Sequence, residues 1–238
     1  SGLSLSGADA ANYTLTQPTT TASITKAGLT VTADDKSRAA GQPNPALTAS
    51  YSGFVGGETL ATSGVTGSPA LSTTTTNVVG TYPITAALGT LSAANYSFSF
   101  VNGVLMVTPA SASKLVIVTQ PSSAAAAGVP FAQQPVVAIK DAFGNVRTSD
   151  NSTVVTASRN VGTATLQGTT SVTANAGLAT FADLSYPLAE TMNIRFSSAL
   201  TNATSSNVVV GAGAFTKLLL LAPGETAAPG TVNGKTGT

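Results

Sequence analysis

Cysteine, histidine and tryptophan are absent from this 238-residue sequence. Without cysteine there is no disulfide and no thiolate metal site, and the redox compartment stays open. Without histidine the commonest general base and the commonest metal ligand are missing. Charge is scarce as well. Charged residues make up 8% of the chain, against roughly a quarter of an average soluble domain. The ten basic and nine acidic residues are scattered, so no basic run exists to neutralise phosphates, and no nucleic acid partner is expected. There is no acidic tail. The longest apolar run, Leu218 to Ala222, falls far short of the roughly 20 residues that span a bilayer as a helix, so no membrane span is expected. Neither an initiator Met nor a signal peptide opens the chain, which therefore reads as mature or as part of something longer.

What is present favours strands. Hydrophobic residues reach 42%, but much of that share is Ala, so the expected core is thin and built from Val, Leu, Ile, Phe and Tyr. Thr, Val, Gly and Asn suit strands and turns and suit helices poorly. Period-2 alternation is clear at Leu29/Val31, Leu47/Ala49/Tyr51, Tyr82/Ile84/Ala86 and Tyr96/Phe98/Phe100. It returns at Val137/Ile139, Val172/Ala174, Ala179/Phe181 and Met192/Ile194/Phe196. Turn formers separate the runs: 41–45, Asn102-Gly103, 143–145 and 175–177. No window carries a sustained 3.6-residue period with caps. The expectation is an all-β chain of tandem Ig-like β-sandwich modules in an elongated array, with helix almost absent.

Internal repetition sets the organisation. Ala10-Ala11-Asn12-Tyr13-Thr14-Leu15-Thr16 matches Ala93-Ala94-Asn95-Tyr96-Ser97-Phe98-Ser99, and the alignment runs without a gap to Ala27 against Ala110. Lys217 to Leu221, followed by Pro223 and Gly230, echoes Lys114 to Val118, followed by Pro121 and Gly128. Four segments result. Residues 1–25 read as the C-terminal part of a preceding module, 26–110 as its complete relative, 111–212 as a complete second module, and 213–238 as the first strand of another.

These residues carry a family resemblance. Lys26 to Asp35, Gly41-Gln42-Pro43-Asn44-Pro45, Tyr51 to Glu58, Val79-Gly80-Thr81-Tyr82 and Ala94-Asn95-Tyr96 resemble, in order, the MBG-type repeats of large bacterial surface proteins. Val136 to Asn145, with the later run Ala179 to Leu184, resembles a bacterial Ig-like, invasin-type repeat. The resemblance implies extracellular β-sandwich modules strung in tandem on a bacterial cell surface, serving as spacers in a fibre or adhesin stalk. It implies no enzyme and names no ligand. Its implied partners are neighbouring repeats or other copies of the chain. A glycan- or mucin-binding module is the alternative function, and a filament subunit assembled by strand exchange is a second.

Several constellations bear on chemistry. Ser111-Ala112-Ser113-Lys114, Ser149-Asp150-Asn151 and Lys235-Thr236-Gly237 spell the three motifs of the penicillin-recognising serine enzymes. That chemistry needs Ser111 at a helix start with Lys114 one turn on. Here Ser111 lies in a linker beside Pro109 and Lys114 begins an alternating strand, on which residues three apart face opposite sides. Gly230 to Thr236 is one residue short of a P-loop and reads as a turn. Asp34 and Asp35 are adjacent and point to opposite faces of a strand end, which does not suit the facing carboxylates of a glycosidase. Asp141, Asn145 and Asp150 surround one turn and supply oxygen ligands of the type Ca²⁺ takes; the same side chains also suit a turn held by bonds to backbone. Tyr51 and Phe54, with Glu58 nearby, are the aromatics placed to stack on a sugar, against the alternative of core packing. Asn12, Asn95, Asn151 and Asn202 each open an Asn-x-Ser/Thr triplet, an acceptor only where the host glycosylates.

Overall fold

The computed structural model describes residues 2–214, 226–227 and 235–236. The chain is all-β. Among these residues one three-residue 3-10 turn, Ala10–Asn12, is the sole helical element. The strand expected at 217–221 and the glycine-rich turn at 230–234 lie outside the described residues.

Residues 27–108 hold seven strands: β1 (Ala27–Ala33), β2 (Lys36–Ala39), β3 (Ala49–Ser52), β4 (Ala70–Ser72), β5 (Gly80–Ala87), β6 (Tyr96–Val101) and β7 (Gly103–Thr108). One sheet has the order β3-β1-β6 and the other β2-β7-β5-β4. β1 runs antiparallel to β3 and parallel to β6, with Leu29 opposite Phe98 and Val31 opposite Phe100. The alternation read from the sequence is the burial pattern. Leu29 and Val31 on β1, Ile84 on β5 and Leu105 on β7 are fully buried. Each such side chain contributes about 1.5–3 kcal/mol on burial. β4 pairs with β5 only as far as Ser72 opposite Thr85. The next residue but one along β5 is Pro83, which has no N–H to continue a ladder. Asn102-Gly103 separates β6 from β7, as expected of turn formers, but it does not close a hairpin. The two strands belong to different sheets, and Gly103 is the point where the chain changes sheet.

Residues 112–211 hold nine strands: β8 (Ala112–Thr119), β9 (Ala124–Ala126), β10 (Val136–Asp141), β11 (Val154–Val161), β12 (Ser171–Thr173), β13 (Leu178–Thr180), β14 (Thr191–Ser197), β15 (Ala203–Thr204) and β16 (Val208–Gly211). They form a sandwich of β13-β10-β8 against β12-β11-β14-β16-β9, with β15 on β14. The chain leaves the first sheet after β8 and joins the second through β9, parallel to the last strand β16. A first strand split between sheets, with the antiparallel β11-β14-β16 set opposite it, is an Ig-like arrangement. The core is one cluster that includes Val137, Ile139, Val155, Phe181, Leu184, Tyr186, Ile194 and Phe196. Phe181 and Phe196 meet at 5.3 Å between ring centroids. A last short pair, β17 (Thr226–Ala227) and β18 (Lys235–Thr236), is antiparallel.

By compactness the chain divides into two units. The first comprises Ser1–Lys36, Pro45–Thr74 and Thr81–Leu105; the second comprises Ser37–Asn44, Thr75–Gly80 and Met106–Thr238. Two short segments from the early part of the sequence thus group with the second unit.

Candidate functional site

The Asp141–Asn145 turn follows β10 and is built from its own polar groups. Asp141 is fully buried. Its Oδ1 accepts the backbone N–H groups of Phe143 (2.9 Å) and Asn145 (2.8 Å). Its Oδ2 accepts the backbone N–H of Ala110 (3.0 Å) and the side-chain amide of Asn145 (2.9 Å). Burial alone pushes the Asp141 carboxyl up, but the bonds from Asn145, Ala110 and Phe143 together outweigh it and hold the carboxyl below its ordinary range. Asp150 behaves in the same way. Burial raises it, and the backbone and hydroxyl of Thr153, the backbone of Ser152 and the charge of Arg147 bring it down. Thr153 donates to Asp150 through both its N–H (2.9 Å) and its hydroxyl (2.7 Å). Asn145 Oδ1 accepts from the Val79 N–H at 3.3 Å. The three residues proposed for calcium therefore each have their side-chain oxygens engaged by protein N–H or O–H donors. That is the geometry of a carboxylate-held turn.

The aromatic set in the first unit centres on a residue outside it, Tyr96. Tyr96 is 1% exposed. Phe54 meets it edge-on at 5.8 Å. The Tyr96 hydroxyl donates to Glu58 at 2.6 Å and accepts the Val55 N–H at 3.1 Å. Phe54 and Glu58 thus serve to lay the 53–58 loop over Tyr96. The bond to Glu58, more than burial, raises the Tyr96 hydroxyl pKa. Tyr51 sits half-buried on β3, and burial raises its own hydroxyl.

The second unit carries the same device. Tyr186 is fully buried. Its hydroxyl donates to Glu190 and accepts the Ala164 N–H at 2.7 Å. Glu190 also takes the Thr163 N–H at 2.6 Å. Burial first, and then Glu190, raises the Tyr186 hydroxyl; Tyr186 first, and then Thr163, lowers Glu190. In both units a buried tyrosine passes its proton bond to a glutamate and pins a loop N–H with its lone pair. Sequence reading missed the pairing. Its signal, a Tyr and a Glu with no shared period, is too weak to find without the loop that joins them.

Three further carboxylates follow suit. Asp34 accepts from the Thr48 hydroxyl and Asp35 from the Val104 N–H at 2.7 Å. Asp183 accepts from the Thr169 N–H at 2.8 Å and hydroxyl at 2.9 Å, which lower its pKa. Lys114 lies on β8, so Ser111 precedes a strand and not a helix. Asn151 accepts the Ala176 N–H at 2.8 Å. Among the described residues no group of three Asp or Glu side chains is arranged to hold a metal ion. No helix among them is long and apolar enough to cross a membrane.

No curated protein matches the chain. Among solved structures, a family 2 glycosyl hydrolase from Bacteroides cellulosilyticus aligns at 12% identity and a TM-score of 0.37, over 57% of this chain and 18% of the hydrolase. Domains 4 and 5 of the S-layer protein SbsC align at 16% identity and a TM-score of 0.33, over 58% of this chain and 69% of that one. Residues 29–106 match the family model of the MBG domain (YGX type), so the first module is of MBG type.

Proposed function

We propose that the chain is a non-catalytic structural segment of an extracellular bacterial repeat protein, a spacer in the stalk of a surface fibre or adhesin. The observation that carries this reading is how the carboxylates are used. Asp141, Asp150, Asp183, Glu58 and Glu190 each accept bonds that hold their own loops, and such loop-holding serves shape rather than turnover. The MBG-type module at 29–106 and the internal repeats support the same reading. Sandwiches strung in line give a particle larger than a compact globule. For this length a globule has a radius of gyration of about 18 Å. Small-angle scattering of the full chain should give a clearly larger value, and a value near that of the globule would sink the spacer reading.

A second reading, a filament subunit assembled by strand exchange, rests on one observation. Tyr13 is 71% exposed and Ile24 is 99% exposed, although their segment aligns without a gap with strands β6 and β7, closely over Ala10–Thr16. Exposed apolar positions on an extended segment are suited to adding onto a sheet edge of another copy. Light scattering of the full chain and of the triple variant Tyr13→Asp, Leu15→Asp, Ile24→Asp separates the two readings. Filaments that vanish in the variant favour exchange; monomers in both favour the spacer.

A further inference from the structure

Ser37–Asn44 and Thr75–Gly80 group with the second unit; β2 lies beside β7, with the Ala40 N–H on the Thr108 carbonyl at 2.8 Å, and a short series of polar contacts adds to that ladder. The Asn145 side chain reaches away from its own turn in two directions. Its Nδ2 donates to the carbonyl of Asn77 at 2.9 Å, and its Oδ1 accepts the N–H of Val79 at 3.3 Å. The pair of bonds reads the backbone of 77–79 as a neighbouring strand would. Asn77 in turn accepts the Gly41 N–H on its own Oδ1 at 2.8 Å. Arg38 closes the set by donating to the carbonyl of Thr76 at 2.5 Å and to Asn44 at 2.5 Å. Gly41 has a φ of +82°, and a Cβ there would lie 2.4 Å from Cζ of Phe143. The positive φ favours glycine at 41, and a side chain there would displace the exposed ring of Phe143, from the same turn as Asn145. Asp141 orients the Asn145 amide from behind at 2.9 Å. It also holds the N–H of the linker residue Ala110, whose carbonyl is taken by Arg147 at 2.7 Å. Both backbone polar groups of Ala110 are thus satisfied from 141–147.

We infer that Asn145 is a positioning residue that seats Thr75–Gly80 in the second unit and, through Asn77, fixes the Gly41 N–H at the end of the β2 segment, with Asp141 fixing its amide. The seat is sequential. Asn145 holds 77–79 and Asn77 holds the Gly41 N–H, so loss of the first link frees both the Val79 and the Gly41 amides and loss of the second frees the Gly41 amide, while Lys36–Ala39 stays paired with β7. The second unit is consequently completed by chain that precedes it by more than one strand, and the Asp141-Ala142-Phe143-Gly144-Asn145 turn is the element that recruits it.

The test is site-resolved amide hydrogen exchange on the full chain. Asn145→Ala removes two bonds to backbone, so the Val79 and Gly41 amides should exchange about ten-fold faster or more. Asn77→Ala should speed Gly41 alone and leave Val79 protected. Gly41→Ala, strained at a φ of +82°, should speed exchange at residue 41 and spare Val79 and Ala40. The Ile139 and Ala157 amides, bonded at 2.8 and 2.7 Å within the sandwich, should stay at wild-type protection in all three. Unchanged protection at Val79 in Asn145→Ala would overturn the assignment. So would loss of Val79 only together with Ile139 and Ala157, because the segment would then be part of the core and not a seated element. Equal effects of Asn77→Ala on Val79 and Gly41 would overturn the sequential order.

Discussion

Two glycines in the first unit invite the same substitution with opposite outcomes. Gly28 lies on β1, outside the left-handed region, and a Cβ there would meet nothing within 4 Å. Gly103 opens β7, also outside that region, and a Cβ there would lie 2.4 Å from the carbonyl oxygen of Ala33 and 2.9 Å from its carbon. Replacing Gly by Ala removes freedom from the unfolded chain and stabilises by about 0.4–1 kcal/mol where the native site accepts the methyl. Gly28→Ala should show that gain. At Gly103 the obstacle is backbone at the end of β1, whose core side chains Leu29 and Val31 are fully buried, so neither strand can withdraw without moving packed atoms. Overpacking of that kind costs about 1–3 kcal/mol. Set against the same entropic gain, the net for Gly103→Ala is a loss of about 1–2 kcal/mol. Four of the five tyrosines, Tyr13, Tyr51, Tyr82 and Tyr96, lie in the first unit and there is no tryptophan. Urea unfolding followed by tyrosine fluorescence therefore reports chiefly on that unit. The midpoint should rise for Gly28→Ala and fall for Gly103→Ala, with unchanged slope. A rise for both would refute the claim that Gly103 is kept by close approach of backbone.

Tyr186→Phe removes the acceptor of the Ala164 N–H and should destabilise the second unit by about 1–2 kcal/mol, read as a lower melting temperature; an unchanged value would show that the hydroxyl is replaced by water. Phe181→Ala, which empties a site packed on Phe196, should cost about 3–5 kcal/mol in the same measurement. The folded carboxyls of Asp141 and Asp150 lie below their unfolded values, so their stabilisation is complete above the unfolded pKa of about 3.9 and is lost as pH falls below it. Stability of the second unit should accordingly be flat near neutrality and decline below about pH 4, and Asp141→Asn should be weaker at pH 7 with a shallower acid decline. With the oxygens of Asp141, Asn145 and Asp150 already engaged, melting in millimolar calcium should superimpose on melting in chelator; a raised melting temperature with calcium would restore a metal role to that turn.

The strands were legible because their signal is local. Alternation at Leu29/Val31, Tyr82/Ile84/Ala86 and Met192/Ile194/Phe196 requires only that one face of each be buried, and those faces are the buried ones. The turn residues around Asp141 were legible for the same reason, since a carboxylate bonding N–H groups two and four residues on is a short-range event. What Asn145 and Glu58 bond to was not. Their partners, Asn77 and Tyr96, lie 68 and 38 positions away in sequence, and no local pattern encodes a partner at that distance.

One pair of segments separates the two kinds of information. Ala10-Ala11-Asn12-Tyr13-Thr14-Leu15-Thr16 and Ala93-Ala94-Asn95-Tyr96-Ser97-Phe98-Ser99 are nearly the same peptide. The second becomes the start of β6, laid parallel to β1, with Tyr96 1% exposed; the first forms no strand, and Tyr13 is 71% exposed. By itself the sequence determined the β class, the module repeat, the alternating faces and the lack of histidine and thiol chemistry, all of which depend on composition or on residues a few positions apart. Tertiary structure alone decided which copy is a strand, where Asn102-Gly103 sends the chain, and which loop each carboxylate holds. A strand gains its backbone bonds and its buried face only from partners distant in sequence, so a closely similar peptide without those partners stays in solvent.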